Sequence, residues 1–355
     1  MRVSVILFVA IVQGAFFALL VLLLFVNRAR RMLRSRRATA AANRVHEPLQ
    51  KWLVGAGTAT DLASALRRLP ERDALDQLTM HVATRLTPEH LSQLARQLRE
   101  DRWVRRILAQ STSRLWWRRL DAARLLAAVG SVRDRQLLRA LLADEHAAVQ
   151  AAASICLTRI GDLALVEHVL DTLHTRPPIV RVFQLRILRE TWRHTVPALL
   201  ERLLPTAPLA KLQVWIALAE SLADARCLAT LVGFRNHPVT EIRISAARAL
   251  RRYMHADAEA VLREMMKDDD WRVRAQAARG LGALGATGAI ADLSNALLDR
   301  AWWVRFRAAL ALAQLGEAGR RSLRTARERV DRYAADMASM VSGLSDGAVV
   351  ELAEA

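Results

Sequence analysis

The chain has 355 residues, enough for two or three ordinary domains or for one long repeat array. Apolar residues make up 53% of the sequence and aromatic residues only 5%, so Ala, Leu and Val dominate and favour helices over β-sandwiches. Two cysteines, Cys156 and Cys227, are too few for a disulfide framework or a cysteine-based zinc cluster. The formal net charge is +18 at pH 7.

The first 37 residues predict a membrane anchor. Val3 to Val26 carries no charge and, as a helix, would be long enough to cross a hydrocarbon core of about 30 Å. A cluster of six arginines follows, which are Arg28, Arg30, Arg31, Arg34, Arg36 and Arg37. Because arginine beside a membrane helix stays on the cytoplasmic side, we expect a single-pass protein of the bacterial inner membrane, with its N-terminus outside and the rest cytoplasmic. A cleaved signal peptide would carry its positive charge before a shorter apolar core.

The rest of the chain repeats with a period of 31 residues. Stepping back by 31 from Val304 meets Val273, Ile242, Lys211, Val180, Val149 and Arg118 without an insertion. Positions four, eight and eleven residues after each of these anchors are mostly apolar, which is the spacing of one helix face. Gly130, Gly161, Gly285 and Gly316 follow four of these helices, where a left-handed residue is favoured. A second apolar stripe follows each turn, so each unit is predicted to be a helical hairpin.

Two of these units resemble HEAT repeats, in particular the short phycobilisome-lyase-type HEAT-like repeat. The resemblance rests on the runs at 270–285 and 302–316, which read DWRVRAQAARGLGALG and WWVRFRAALALAQLG. It implies an all-α fold, a right-handed α-solenoid of about seven hairpins, preceded here by one transmembrane helix. We predict an anchor and basic segment at 1–37, a divergent helical cap at 38–112, HEAT-like repeats at 113–330, and a capping helix and tail at 331–355.

The resemblance also implies a ladder of acid–arginine contacts between neighbouring repeats. The family typically has an aspartate six residues before the arginine that opens each first helix. Asp268 with Arg274 and Asp299 with Arg305 meet that spacing. We therefore expect these two pairs to be structural. Towards the end of the chain, we expect one amphipathic helix that includes Leu323 and Met337, and a frayed segment from Gly343 to Ala355.

No catalytic, cofactor-binding or metal-binding residues are predicted. The sequence has no HExxH, no glycine-rich phosphate loop and no GxSxG. His168 and His174 are spaced six apart, which does not place them on one helix face. Cys156 is expected to be a buried structural thiol. We therefore predict that the protein is not an enzyme and has no small-molecule substrate.

Tryptophan and arginine are the candidate contact residues. Trp116, Trp117, Trp271, Trp302 and Trp303 each stand one or two places before a repeat anchor. Tryptophan is enriched in binding hot spots, so these residues are candidates for a protein contact; the alternative is that each caps its own repeat junction. The six arginines after the apolar segment are candidates for contact with an anionic membrane surface. Residues 84–135 are also basic, which suggests the membrane surface, nucleic acid as a weaker alternative, or a solvated face with local ion pairs.

Two classes of function follow. The first is a scaffold or adaptor, anchored in the inner membrane, that binds a protein partner on the cytoplasmic face in an envelope-synthesis or signalling complex. The alternative is an enzyme on a HEAT-like scaffold, with bilin lyase-like or DNA base-excision activity. A repeat scaffold transfers no chemistry by itself, so the adaptor is the favoured hypothesis.

Overall fold

The structure is a computed structural model that describes residues 2–328 and 330–354. Within these ranges, the side chains of 2–15, 18, 29–31, 34, 81 and 88 lie outside the description. The described residues are helical and contain no strand, which confirms the predicted all-α class. The chain divides into two compact units, Met1–Ile160 and Gly161–Ala355, and the division falls inside the predicted repeat region.

The helices of the first unit share one core. They are α1 (Arg2–Leu53), α2 (Ala59–Arg67), α3 (Glu71–Asp76), α4 (Pro88–Leu98), α5 (Arg102–Leu108), α6 (Trp116–Val129), α7 (Arg135–Leu142) and α8 (Ala147–Ile160), with a π-helix at Gln77–Val82 and 3-10 turns at Ala109–Thr112 and Val132–Asp134. The core runs from Val45 and Trp52 of α1, through Leu62 and Leu94, to Leu125 of α6. The predicted cap region 38–112 is thus helical and packs directly on the first repeat.

The second unit contains thirteen α-helices in its described residues. They are α9 (Leu163–Thr172), α10 (Pro178–Glu190), α11 (Trp192–Leu200), α12 (Leu209–Leu222), α13 (Leu228–Gly233), α14 (Thr240–Leu250), α15 (Ala256–Met265), α16 (Trp271–Ala283), α17 (Ile290–Ala296), α18 (Trp302–Gln314), α19 (Gly316–Arg327), α20 (Arg332–Ser342) and α21 (Asp346–Glu354). Single 3-10 turns lie at Leu173–Thr175, Ala225–Cys227, Phe234–Asn236 and Thr287–Ala289.

The predicted period of 31 residues is confirmed by the helix starts. The first helices of the repeats, α6, α8, α10, α12, α14, α16 and α18, begin at residues 116, 147, 178, 209, 240, 271 and 302. The position eight residues after each anchor is fully buried in all seven, as at Leu281 and Leu312. In the second unit the first helices lie side by side, and α16 and α18 make the most extensive of these contacts. The repeats are therefore HEAT-like hairpins stacked along one row.

Glycine explains the close contact between α16 and α18. A Cβ atom placed on Gly282 would lie 2.8 Å from both Cα and Cβ of Ala311 and 2.5 Å from Oε1 of Gln314. Only a residue without a side chain allows the two backbones to approach this closely. The small residues at this level of the repeat therefore set the spacing of the row.

The predicted left-handed helix ends are confirmed at three of four glycines. Gly161, Gly285 and Gly316 have φ of 60°, 66° and 66°. The prediction is wrong for Gly130, whose φ is −63° because the chain leaves α6 in an extended conformation. In the repeat that lacks glycine, Ala223 takes the left-handed conformation at φ 50°.

The middle repeats depart from the pattern, as their sequence suggests. Trp215 occupies a position that is alanine in four other repeats, and its buried indole N–H donates to the carbonyl of Leu170 at 3.0 Å. Pro197 lies inside α11 rather than at its start, so its predicted place at the opening of the helix is wrong. These repeats accommodate large residues by using local hydrogen bonds in place of the small-residue packing seen at Gly282.

The end of the chain differs from the prediction. In place of one amphipathic helix through Leu323 and Met337, the chain forms α19 and α20, and Val330 is fully exposed between them. The segment from Gly343 onward, which was expected to fray, contains α21. Side chains of α16 and α18 bind the last turn of α21 and hold it in place.

The described residues give no support to the predicted transmembrane helix. None of their helices has the length and apolar composition needed to span a membrane. The predicted segment 3–26 lies partly outside the described residues, since the side chains of 3–15 and of Ala18 are not among them. Its backbone is part of α1, which continues without interruption into the first unit.

Candidate partner-binding surface

An aromatic rim lies at the start of the last two first helices. We define it as Trp271 at the start of α16 and Trp302 and Trp303 at the start of α18. Their side chains are between 42% and 49% exposed, which is high for tryptophan. Because α16 and α18 lie side by side, the repeat places the three tryptophans at the same end of neighbouring helices.

Ring contacts hold the α18 part of this rim. The Trp302 ring stacks on Phe306 at a centroid distance of 4.9 Å and meets Trp303 edge-on at 4.8 Å. Next to them, the guanidinium of Arg305 lies 5.2 Å from the exposed ring of Tyr333. Tryptophan held by such contacts offers apolar area and an indole N–H at low entropic cost, which suits a protein contact.

The other two candidate tryptophans lie in the first unit, at the start of α6. Trp116 stacks face to face on His146 at 4.0 Å, and Trp117 meets Trp116 edge-on at 6.1 Å. His146 belongs to the turn that opens the next repeat, so Trp116 fits the alternative in which tryptophan caps a repeat junction. Trp117 is 47% exposed.

The sequence prediction missed one further exposed tryptophan. Trp192 begins α11 and is 45% exposed, with the guanidiniums of Arg193 and Arg226 at 5.6 Å and 5.8 Å from its ring. The signal was present, because Trp192 occupies the position that is glycine in the regular repeats. It was treated as a departure from the pattern rather than as a surface residue.

A ladder of arginines and aspartates connects the repeats beneath the aromatic rim. Arg274 donates from Nε and Nη2 to the two carboxylate oxygens of Asp299, at 2.7 Å and 2.9 Å. Its Nη1 donates to the backbone carbonyl of Asp268 at 2.8 Å. Arg243 binds the carboxylate of Asp268 in the same bidentate way. Each guanidinium therefore joins the loop of its own repeat to the carboxylate of the next repeat.

This geometry corrects the predicted pairs. Arg274 and Arg305 do contact Asp268 and Asp299, six residues earlier, but they bind the backbone carbonyls. The carboxylates belong to the arginine of the preceding repeat, 25 residues earlier in the sequence. The ladder is also not confined to the end of the chain, because Arg119 binds the carboxylate of Asp144 at 2.6 Å and 2.9 Å in the first unit.

The charges of the ladder stabilise each other. Burial raises the pKa of the Asp299 carboxyl, but the hydrogen bonds from Arg274 and the Ala301 N–H, together with the Arg274 charge, outweigh burial and lower it. The pKa of Asp268 is lowered by the same balance, with Arg243 and the Asp270 N–H as partners. The carboxylates are therefore ionised structural partners, as the sequence analysis expected.

The basic stretch 84–135 is largely paired inside the first unit. Arg99 binds Asp134 through two hydrogen bonds, and Arg119 binds Asp144. Arg124 contacts Asp76 at 3.3 Å, and Arg106 contacts Glu71. These acids compensate much of the local excess, which favours the solvated face with local ion pairs over a phosphate-binding surface.

The arginines that follow the apolar segment are only partly described. Arg28, Arg36 and Arg37 are exposed on α1, whereas the side chains of Arg30, Arg31 and Arg34 lie outside the described residues. Downstream of them, Ala41, Val45 and Leu49 of the same helix are buried in the core of the first unit. This basic segment therefore lies on α1 between its apolar and packed parts.

The cysteines and the metal question can be stated briefly. Cys156 is buried, as predicted, and burial raises the pKa of its thiol to about 12; burial raises that of Cys227 to about 11. Both thiols are therefore protonated near neutral pH and suited to packing. Among the described residues, no cluster of three or more His, Cys, Asp or Glu side chains could hold a metal ion.

The geometry defines an all-α protein built from stacked helical hairpins. The family described as HEAT repeats matches residues 196–278 and 259–339, so this part of the chain contains HEAT-like repeats. The comparison with curated proteins found no match.

Solved structures of low sequence identity were also compared. The chain is similar to the Escherichia coli protein YibA, at 17% identity and a TM-score of 0.34 over 68% of this chain and 92% of that one. It is similar to human deoxyhypusine hydroxylase, at 17% and 0.31 over 72% and 96%. It is similar to the complex of CpcE and CpcF of phycocyanin lyase from Nostoc sp. PCC7120, at 18% and 0.31 over 74% and 96%. Similarities of this size carry no argument about activity or partners.

Proposed function

We propose that the protein is a HEAT-repeat adaptor, anchored in the bacterial inner membrane by the start of α1, that binds a protein partner on the cytoplasmic face. The observation that carries the anchor is a run of exposed apolar side chains on α1, which are Phe16, Phe17, Leu19, Leu20, Val21, Leu22, Leu23, Leu24, Phe25 and Val26. Eight consecutive residues cover every face of a helix. Soluble surfaces rarely leave such an area in water, and a hydrocarbon environment would bury it.

The continuity of α1 supports the coupling of anchor and repeats. The exposed apolar run, the arginines after Asn27 and the buried residues Val45, Leu49 and Trp52 all lie on one helix. A helix that enters the core of the first unit would hold that unit close to the membrane surface. The exposed arginines at its middle would then lie at the level of anionic headgroups.

The aromatic rim supports the binding role. Three half-exposed tryptophans at the same end of two packed helices form the kind of rigid surface that binding hot spots use. An enzyme on this scaffold, either bilin lyase-like or acting in DNA base excision, is the alternative function. No contact among the described residues favours it specifically.

The proposed topology predicts the activity of reporter fusions. A fluorescent reporter fused after Ala355 should be active, and alkaline phosphatase fused at the same position should be inactive, because the latter folds only outside the cytoplasm. Replacing the six arginines between Arg28 and Arg37 with glutamine should weaken this preference, since they set the orientation. Active alkaline phosphatase in the unmodified chain would exclude the proposed topology.

The proposed binding role predicts a loss of partner when the rim is removed. The double variant Trp302→Ala and Trp303→Ala should bind its detergent-extracted partner about 30-fold more weakly, since hot-spot tryptophans contribute about 2 kcal/mol or more. Trp192→Ala is the matched control, because this residue is equally exposed and lies on a different helix. Quantitative pull-down with the melting temperature of each variant would measure this. Equal recovery by the double variant and the control would refute the rim as the contact.

A further inference from the structure

The helix α21 is held by a cap of two arginines from the repeats. Arg279 of α16 donates from Nε to the carbonyl of Ala353 at 2.8 Å and from Nη2 to that of Glu354. Arg307 of α18 donates from Nη1 to the carbonyl of Leu352 at 2.8 Å. Carbonyls in the last turn of a helix have no donor within the helix and lie at its negative end. The repeats thus present a site that binds a helix C-terminus.

The surface beneath α21 carries excess positive charge, and we call Arg251, Arg279 and Arg307 the basic face. Burial, together with the charges of Arg251 and Arg307, lowers the pKa of Arg279 to about 10. Burial and the charge of Arg251 also lower the pKa of Arg307. One carboxylate, that of Glu220, binds Arg251 at 3.1 Å and also binds Arg248. Three clustered guanidiniums with this partner would bind an anionic ligand more strongly than helix carbonyls alone.

The attachment of α21 is small. Val349 and Ala353 are buried, but Val350 is 52% exposed, and the remaining side-chain contact is an exposed ion pair between Asp346 and Arg320. A helix of nine residues is marginal in water without tertiary packing. An open groove of about 480 Å³ remains beside it, lined among others by Met254, Leu284 and Val349. Detaching α21 would therefore cost little and would enlarge this groove.

The segment that carries α21 has the opposite charge to the basic face. Residues 343–355 contain three acids, Asp346, Glu351 and Glu354, and no basic residue. The chain therefore covers its own basic face with a short acidic helix. A ligand of the same chemistry could use the same contacts, with added carboxylates near the guanidiniums.

We propose that α21 is a displaceable cover and that the basic face binds an acidic helical segment of a protein partner, whose last turn docks on Arg279 and Arg307. This inference rests on the proposed function in that it takes the partner to be a protein. The cover lowers the apparent affinity of the face by the fraction of molecules in which α21 is detached. A partner that competes successfully must therefore bind better than α21 does.

The test uses the full chain and a labelled peptide with the sequence of residues 343–355. Val349→Lys places a charge at a buried contact and should detach α21, whereas Val350→Lys adds the same charge at the exposed neighbour. Fluorescence anisotropy should show at least tenfold tighter peptide binding to the Val349→Lys protein than to the unmodified chain. The Val350→Lys protein should bind like the unmodified chain. Amide exchange in 346–354 reports the detachment directly.

A second variant separates the cover from the face. Arg279→Gln with Arg307→Gln removes both caps, so α21 should again exchange quickly, but the peptide should not bind. Slow exchange of α21 in Val349→Lys would contradict a displaceable cover. Detachment without tighter peptide binding, or equal binding to the double glutamine variant, would refute the basic face. A Val349→Lys dimer formed by exchange of α21 would make a second copy the occupant and overturn the proposal.

The result is independent of the membrane and of the rim. The titration uses purified protein and a defined peptide, so its failure would leave the adaptor hypothesis intact. Conversely, a different topology or an unaffected Trp302 and Trp303 variant would refute the proposed function and would not change the peptide result.

Discussion

Gly282→Ala is expected to lower the free energy of unfolding by about 1–3 kcal/mol, although alanine is the better helix former. The added Cβ would lie 2.8 Å from the backbone of Ala311 in α18, a distance that real Cβ atoms do not show. A flexible side chain can move away, but the Cα of Ala311 can move only with its helix. The substitution must therefore separate α16 from α18, and the loss of packing outweighs the gain of about 1 kcal/mol in helix propensity.

Gly233→Ala is the matched control for this prediction. Gly233 is also a helical glycine, and a Cβ there would meet no atom within 4 Å. It should therefore stabilise the protein by about 0.5–1 kcal/mol, in the opposite direction. Urea unfolding of both variants measures the difference. Equal stabilisation of the two would show that α16 and α18 are not closely packed at this point.

The repeat could be predicted from sequence because its signal is periodic. Thirty-one residues separate the starts of all seven first helices, and the same stripe of apolar residues is buried in each. A regular stripe reports on the core, since every repeat buries the same face against its neighbours. Where Trp215 replaces alanine, the stripe weakens while the helix start holds its register.

Contacts between repeats were harder to predict. The spacing of six residues between Asp268 and Arg274 correctly indicated a contact, but it could not show which edge of the guanidinium meets which oxygen. The structure assigns one edge of Arg274 to the carbonyl of its own loop and the other to the carboxylate of Asp299. A spacing within one repeat cannot reveal a partner in the next one.

The last helix was missed for a related reason. Residues 343–355 are short, acidic and rich in small residues, which is the composition of a frayed end. The helix forms because Arg279 and Arg307, more than 40 residues earlier in the chain, supply donors for its final carbonyls. No local pattern in the segment carries that information.

Asp299→Ala is expected to lower the stability of the last repeats by about 1–3 kcal/mol. The substitution leaves the guanidinium of Arg274, which is only 10% exposed, without its bidentate partner. It also removes the oxygen that accepts from the Ala301 N–H at the start of α18. Because stability in a repeat array is mainly a nearest-neighbour property, amide exchange should accelerate in about 290–330 and change little in the earlier repeats.

Asp292→Ala is the control, since Asp292 forms a more exposed ion pair with Arg263. Exposed pairs contribute about 0–1 kcal/mol, so exchange should change little. The pH dependence identifies the mechanism. The pKa of Asp299 is lower in the folded protein than in the unfolded chain, so its contribution is complete above about pH 4 and is lost as the pH falls through the folded value. The difference between Asp299→Ala and the unmodified chain should therefore be largest near pH 7 and shrink in acid. A difference that persists in acid would mean that the ionised carboxylate is not what stabilises these repeats.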